Sequence, residues 1–297
     1  MEKLLKDIIK KFSRPKKLAA VMPYEDSILS ALEMAANAGV VSATLIGNKE
    51  KLIECLKGHE FKYEIINEED IGNAIGFVKE NKFELLMKGS MNTDSLLHAV
   101  FDKERGLKTD SILSHVALFE IPSYKKLLIV TDAGVNIRPD LMRKASIIDN
   151  ALAVSRVIGV KAPKVAVLAA VEKVIYPAMP ATRDADMLRE MSDQGRFKDA
   201  RVEGPFALDN AVSEKSVKTK GIKGSVAGDA DILMLPDIES ANILYKSLTC
   251  FAKAKVASIV VGAKIPLVVP SRADDPVTKY LSILLAAVYS ENYEKNI

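Results

Sequence analysis

Short β-branched runs alternate along this chain with segments whose apolar residues recur at helical spacing. "LAAVMP" (18–23) predicts a strand and "SILSALEMAANAG" (27–39) a helix closed by Gly39. "VSATLIG" (41–47) is the next strand, and a helix follows near 49–57. "KYEIIN" with "EDIGNAIGFVKE" repeats the unit, "FELLMKG" supplies another strand, and a helix is expected from Asp94 to about 104. Near-continuous apolar strands alternating with helices indicate a mostly parallel sheet covered on both faces.

The pattern changes after about residue 107. "SILSHVALFEI" and "KKLLIVTD" are adjacent strands joined by "PSY", an antiparallel hairpin that would be out of place in the first sheet. A long helix (about 139–158), the strand "KVAVLAAV" and a helix near 183–194 follow. Then come "ARVEGP", a helix at 206–213, the loop "KTKGIKG" and the strand "ADILMLP". "ESANILYKSLTCFAKA" is helical with Leu244, Leu248 and Phe251 on one face, "VASIVVG" and "IPLVVP" are strands, and the last helix spans about 276–290. At the other end, Leu4, Leu5, Ile8, Ile9 and Phe12 share one side of an exposed amphipathic first helix.

Composition narrows the class. The 297 residues are 48% hydrophobic and 27% charged, as in ordinary globular proteins, and are enough for one large or two moderate domains. Forty-two basic against 39 acidic residues, with no single-sign block, argues against a nucleic-acid binder but leaves room for basic pockets. Cys55 and Cys250 lie far apart without metal spacing and read as incidental thiols of a reducing compartment. "VASIVVGAKIPLVVP" is cut by Lys264 and Pro266, so no run spans a bilayer, and no signal-peptide core opens the chain. A cytoplasmic protein without membrane contact is expected.

Open α/β sheets bind ligands at the carboxyl ends of their strands. Here these ends read "MKGSMNTD" (87–94), "TDAGVN" (131–136), "LPDIESAN" (235–242) and "PSRADD" (270–275). They gather Lys88, Asn92, Thr93, Asp132, Asn136, Asp237, Asn242, Ser271 and Arg272, a set rich in anion donors. Walker, GxGxxG, G-x-S-x-G and zinc-protease patterns are absent, and "KGIKGSVAG" is a lone Gly-rich loop that could cradle a phosphate but reads sooner as a mobile connector. His59 falls in a charged loop and is expected to be solvated, His98 on the helix after "NTD", and His115 in an apolar strand as a core histidine. None has a metal-spaced partner.

Asp275-Pro276 is a helix start, with a capping carboxylate followed by proline at the first helical position. Asp274 has no such employment. Ser271 and Arg272, leaving a strand just before a helix, suit an anion, because arginine makes paired hydrogen bonds to phosphate oxygens. On spacing alone, a phosphate contact and a surface ion pair both stay open.

"VAGDADILMLPDIESANILYKSL" followed by "VVPSRADD" resembles the phosphate acetyltransferase/butyryltransferase family, and "LLMKGSMNTDSLLHAVFDKERGLKTDSILSHVALFEIP", "AVEKVIYPAMPATRDADML" and "VEGPFALDNAVS" resemble its butyryltransferase branch. The resemblance covers roughly residues 16–290. It implies the reaction acyl-CoA + phosphate ⇌ acyl phosphate + CoA, without cofactor, CoA being a substrate. It also implies an isocitrate/isopropylmalate dehydrogenase-like fold of two α/β/α domains with mostly parallel sheets, the second inserted into the first, and a cleft between them. Residues 1–106 with 257–297 would form domain I and 107–256 domain II, in a homodimer or higher homo-oligomer.

By position, Ser271 and Arg272 match the family's phosphate-contacting pair. Asn92 and Thr93, with Lys88 before them, match its acyl-phosphate loop, while Asn242 and Lys246 match a PDxxxxNxxYK segment. Two positions depart from the acetyl-transferring relatives. Their proposed base aspartate, seven residues after the serine, is Thr278 here, and an arginine after the "NTD"-like loop is replaced by Leu97-His98. Asp274 is therefore the expected base, with His98 near the missing arginine. Rival expectations are an acetyl-CoA-specific enzyme, a non-catalytic CoA or acyl-phosphate sensor, and a metal-dependent NADP decarboxylating dehydrogenase, for which the single acid pair of "SRADD" is a poor donor set.

Overall fold

The computed structural model describes residues 1–293. The chain divides into two compact units, Met1–Ser111 with Ala257–Ile297, and Ile112–Val256. The backbone N–H of Lys264 bonds the Leu107 carbonyl at 2.9 Å and Thr109 Oγ1 bonds the Gly262 carbonyl at 2.5 Å. These bonds keep the segment just after the expected break at 106 with the first unit.

The first unit contains strands β1 (Lys16–Val21), β2 (Val41–Gly47), β3 (Tyr63–Asn67), β4 (Leu85–Lys88), β11 (Leu267–Val268) and, from Ala257 on, β10 (Lys255–Val261). Their spatial order is β3-β2-β1-β4-β11-β10, and every neighbouring pair is parallel except β10-β11. The first sheet thus has an antiparallel pair of its own, which its apolar pattern did not announce. Leu18 to Val21 of β1 and Leu85 to Met87 of β4 are wholly buried, as unbroken apolar runs require. The helices are α1 (Glu2–Ile9), α2 (Asp26–Asn37), α3 (Lys49–Cys55), α4 (Ile71–Glu80), α5 (Thr93–Phe101) and α11 (Pro276–Tyr293). Gly39 ends α2 with φ of +70°, a conformation that favours glycine. The first helix is not the exposed element expected: it packs on α11, Leu5 is wholly buried, and the Lys6 ammonium lies 5.6 Å from the Tyr280 ring centroid.

The second unit holds β5 (Ser114–Glu120), β6 (Leu128–Thr131), β7 (Lys164–Leu168), β8 (Arg201–Phe206) and β9 (Ile232–Met234) in the order β5-β6-β9-β7-β8. The β5-β6 hairpin is antiparallel, Val116 facing Thr131, and the other pairs are parallel. Helices α6 (Leu141–Val157), α7 (Pro180–Asp193), α8 (Leu208–Val212), α9 (Glu214–Lys220) and α10 (Ile238–Cys250) complete it. Tyr245 of α10 packs edge-on against Phe119, ring centroids 5.3 Å apart. Leu244 and Leu248 pack on the same core, but Phe251, one residue past the helix, is 86% exposed. The Gly-rich loop is not a loose connector. Its first residues finish α9, which Gly221 caps, and the Glu203 carboxylate accepts from Ser225 N–H, Ser225 Oγ and Val226 N–H. No helix of the described residues is long and apolar enough to cross a membrane.

Candidate active site

Register places the site. Val21 of β1 pairs with Lys88 of β4, and Met87 of β4 with Val268 of β11, all in parallel. Three segments therefore leave one edge of the first unit's sheet together: 22–25, 89–93 and 269–275. Their closeness dictates the glycine of "KGS". The Gly89 N–H bonds the Val21 carbonyl at 2.9 Å and the Ser90 N–H bonds that of Met22 at 2.8 Å. A Cβ on Gly89 would stand 2.1 Å from the Met22 oxygen.

Lys88, the last residue of β4, is buried, and its Nζ donates to the carbonyls of Gly89 at 3.2 Å and Met91 at 2.9 Å. Burial pushes its pKa down; Glu25 opposes this, while the Arg272 and Lys279 charges add to it. Asn92 precedes α5 without capping it through its side chain, so the first-turn N–H groups of the helix keep their donor capacity. Thr93 opens that helix half-buried, and Asn92 is exposed.

The Ser-Arg segment is a turn closed from both sides. Ser271 N–H donates to Asp274 Oδ2 at 2.8 Å, and Asp274 N–H to the Ser271 carbonyl at 3.1 Å. Ala273 N–H reaches Ser271 Oγ at 3.4 Å. Arg272 stands exposed within it, and among the described residues its guanidinium has no hydrogen-bonding or ion-pairing partner. Asp275 accepts the Thr278 N–H at 2.6 Å as the helix-start reading predicts, with Pro276 opening α11. Asp274, by contrast, has a structural employment that the sequence did not reveal: one oxygen closes the turn.

Lys279 was not anticipated. It is wholly buried, its Nζ donating to Ser27 Oγ at 2.9 Å and to the Asp274 carbonyl at 2.5 Å. A lysine heading the apolar run "YLSILLAAVY" was the available signal. Among the described residues neither Lys88 nor Lys279 forms a salt bridge. Buried charges are ordinarily paired, so two buried ammonium groups near one free guanidinium suit an anion supplied from outside.

Other expectations fare differently. His59 is not solvated: its side chain is 7% exposed, with Nδ1 2.9 Å from Glu33 and Nε2 3.2 Å from Asp26. His98 is exposed on α5, and His115 rests edge-on against Tyr245 at 5.9 Å. Of the polar strand ends in the second unit, Asp132 accepts from the N–H groups of Gly134, Val135 and Asn136 and from Asn136 Nδ2, and Asp237 caps α10 through Ser240 N–H. These groups carry hydrogen bonds of the fold. Asn242 Nδ2 bonds the Ala133 carbonyl at 3.2 Å and the Lys246 ammonium lies 5.2 Å from the Tyr245 ring centroid, both within the second unit. Among the described residues no group of three or more His, Cys, Asp or Glu is placed to hold a metal ion.

The first unit is thus a mostly parallel α/β body that holds an exposed, unpartnered Arg272 and two buried lysines without ion pairs among the described residues, a charge arrangement suited to a small anion. Residues 59–287 match the family model described as "Phosphate acetyl/butaryl transferase", and the chain belongs to that family of acyltransferases. It is 41% identical to the phosphate butyryltransferase of Clostridium acetobutylicum, over 93% of this chain and 94% of that one. It is 42% identical to the phosphate acetyltransferase of Thermotoga maritima, over 93% and 95% respectively. Among solved structures, a branched-chain phosphotransacylase from Enterococcus faecalis superposes with a TM-score of 0.81 at 32% identity, covering 93% of this chain and 99% of that one.

Proposed function

We propose that this acyltransferase exchanges a short-chain acyl group, butyryl in type, between coenzyme A and inorganic phosphate by direct transfer in a ternary complex. The observation that carries the proposal is Arg272, unpartnered on a turn closed from both sides, with buried Lys88 in its field. Phosphate is held by Arg272 and Ser271, with Lys88 supplying charge from below. Asn92, Thr93 and the first-turn amides of α5 hold the acyl phosphate. Asp274 takes the CoA thiol proton on the oxygen that does not close the turn. A free thiol of pKa about 8.5 is only a few per cent ionised at neutral pH, so a base accelerates the attack. The thiolate adds to the acyl phosphate carbonyl, the C–O bond to phosphate breaks, and Arg272 takes up the charge on the departing phosphate.

Asn242, bonded to the Ala133 carbonyl within the second unit, and His98 have no step. CoA acts as substrate, with no separate cofactor, in a cytoplasmic homo-oligomer whose discontinuous first unit carries the phosphate chemistry. The phosphate acetyltransferase relative, as similar as the butyryltransferase, supports a second reading in which acetyl-CoA is preferred. Phosphate-dependent CoA release, measured with acetyl-, propionyl-, butyryl- and isovaleryl-CoA, tests both. The highest kcat/KM is expected with a four- or five-carbon acyl group. A preference for acetyl-CoA would establish the second reading, and saturable CoA binding without turnover on any substrate would leave only a sensor.

A further inference from the structure

Lys279 is wholly buried without a carboxylate in ion-pair contact among the described residues, an arrangement that costs free energy unless the charge is used. Its two hydrogen bonds go to different elements. One reaches Ser27 Oγ in the first turn of α2; the other reaches the carbonyl of Asp274, the residue that closes the Ser271–Asp274 turn. That turn follows a strand only two residues long, so β11 alone gives it little anchorage. Arg272 has no side-chain partner, and its reach is therefore set by the backbone beneath it.

From this geometry we infer that Lys279 is a positioning residue for the transfer reaction: it clamps the Ser271–Asp274 turn to α2 and thereby fixes where Arg272 meets phosphate. The inference rests on the reading of Arg272 as the phosphate contact. Methionine at position 279 keeps the length and removes the ammonium. In K279M, KM for phosphate should rise about tenfold or more, the loss expected for hydrogen bonds from a charged donor. KM for acyl-CoA should stay near its starting value.

The decisive comparison is a double-mutant cycle with R272A. If Lys279 acts through Arg272, adding K279M to R272A changes phosphate dependence little; full additivity, or an equal rise in both KM values, overturns the clamp. Should K279M fail to fold, S27A carries the same cycle, because it frees one tether and leaves the charge in place. Amide hydrogen exchange of the 270–276 segment supplies a readout independent of turnover. Exchange at Ser271 and Asp274 should quicken in K279M and S27A while the body of α11 stays protected, and unchanged exchange overturns the clamp. Wild-type phosphate dependence in R272A would instead defeat the phosphate-site reading, and the exchange experiment would still decide whether Lys279 holds the turn.

Discussion

At the scale of single residues, the proposed mechanism gives charge and proton transfer to different side chains, and each can be removed alone. Arg272→Ala deletes the exposed, unpartnered guanidinium and should lower kcat/KM on the order of 100-fold or more, as for other preorganised electrostatic contacts. Near wild-type turnover, with melting temperature unchanged, would remove Arg272 from the site. Asp274→Asn is a clean probe because the amide oxygen can still accept the Ser271 N–H that holds the turn. Loss of a general base costs about 10²–10⁴-fold, whereas an unchanged pH–rate profile would reduce Asp274 to the structural role already visible. Lys88 makes a pH prediction. Its folded-state pKa is lowered, chiefly by burial, so the ammonium is lost at lower pH than an exposed lysine would lose it. Phosphate, being an anion, binds the charged form better, so phosphate affinity should fall as pH rises through that depressed pKa. The alkaline limb should vanish in K88M and move upward in K88R, because arginine stays protonated far above it. A limb at the same pH in all three proteins would assign it to another group.

The elements behind these residues explain what could be read beforehand and what could not. Strand and helix order followed from local periodicity, because near-continuous burial of β1 and β4 writes itself as unbroken apolar runs. Ser271 and Arg272 were proposed through motif resemblance, while the Asp275 cap was legible through capping chemistry. Lys279 and Ser27 were not, because their contact joins α11 to α2 across some 250 residues of sequence. His59 misled for the same reason: its local surroundings are polar, while its partners, Asp26 and Glu33, come from α2. Two changes test how the elements hold the edge of the sheet. Gly89→Ala puts a methyl 2.1 Å from the Met22 oxygen, and should cost about 3 kcal/mol and most of the activity. At the opposite end of β4, buried Glu84 accepts from Arg14 Nη1 at 2.6 Å, Lys16 Nζ at 2.8 Å and Lys17 N–H at 2.8 Å. Burial alone would raise its pKa, but these donors outweigh burial and lower it. The stabilisation is therefore present above the ordinary glutamate value, roughly 4.3, and is lost as pH falls through the depressed one. Glu84→Gln should cost about 3 kcal/mol, the low end for a broken buried pair, since Lys16 keeps Glu291 at 2.8 Å, and should flatten the acid limb of the stability curve. Urea midpoints across acidic pH measure both effects, and coincident curves for the two proteins would deny Glu84 that role.

For the molecule as a whole, the consequence lies in where the proposed site residues fall in the chain. Lys88, Asn92 and Thr93 precede the entire second unit in sequence, and Ser271, Arg272 and Lys279 follow it, yet all belong to the first unit. A phosphate gripped by both groups joins the two halves of a discontinuous unit, and opening that unit would release it. Because the unfolded chain has no such site, phosphate stabilises the folded state by mass action, by about 2.7 kcal/mol at a hundredfold excess over its Kd. For a chain of this size that amounts to a melting shift of about 5 °C. Hydrogen-exchange protection should appear in two stretches far apart in sequence, around 85–95 and 269–280. R272A combined with K88M should abolish both the shift and the paired protection. Protection confined to one stretch would mean that phosphate does not bridge the two halves, and an equal shift in the double variant would place the bound phosphate elsewhere.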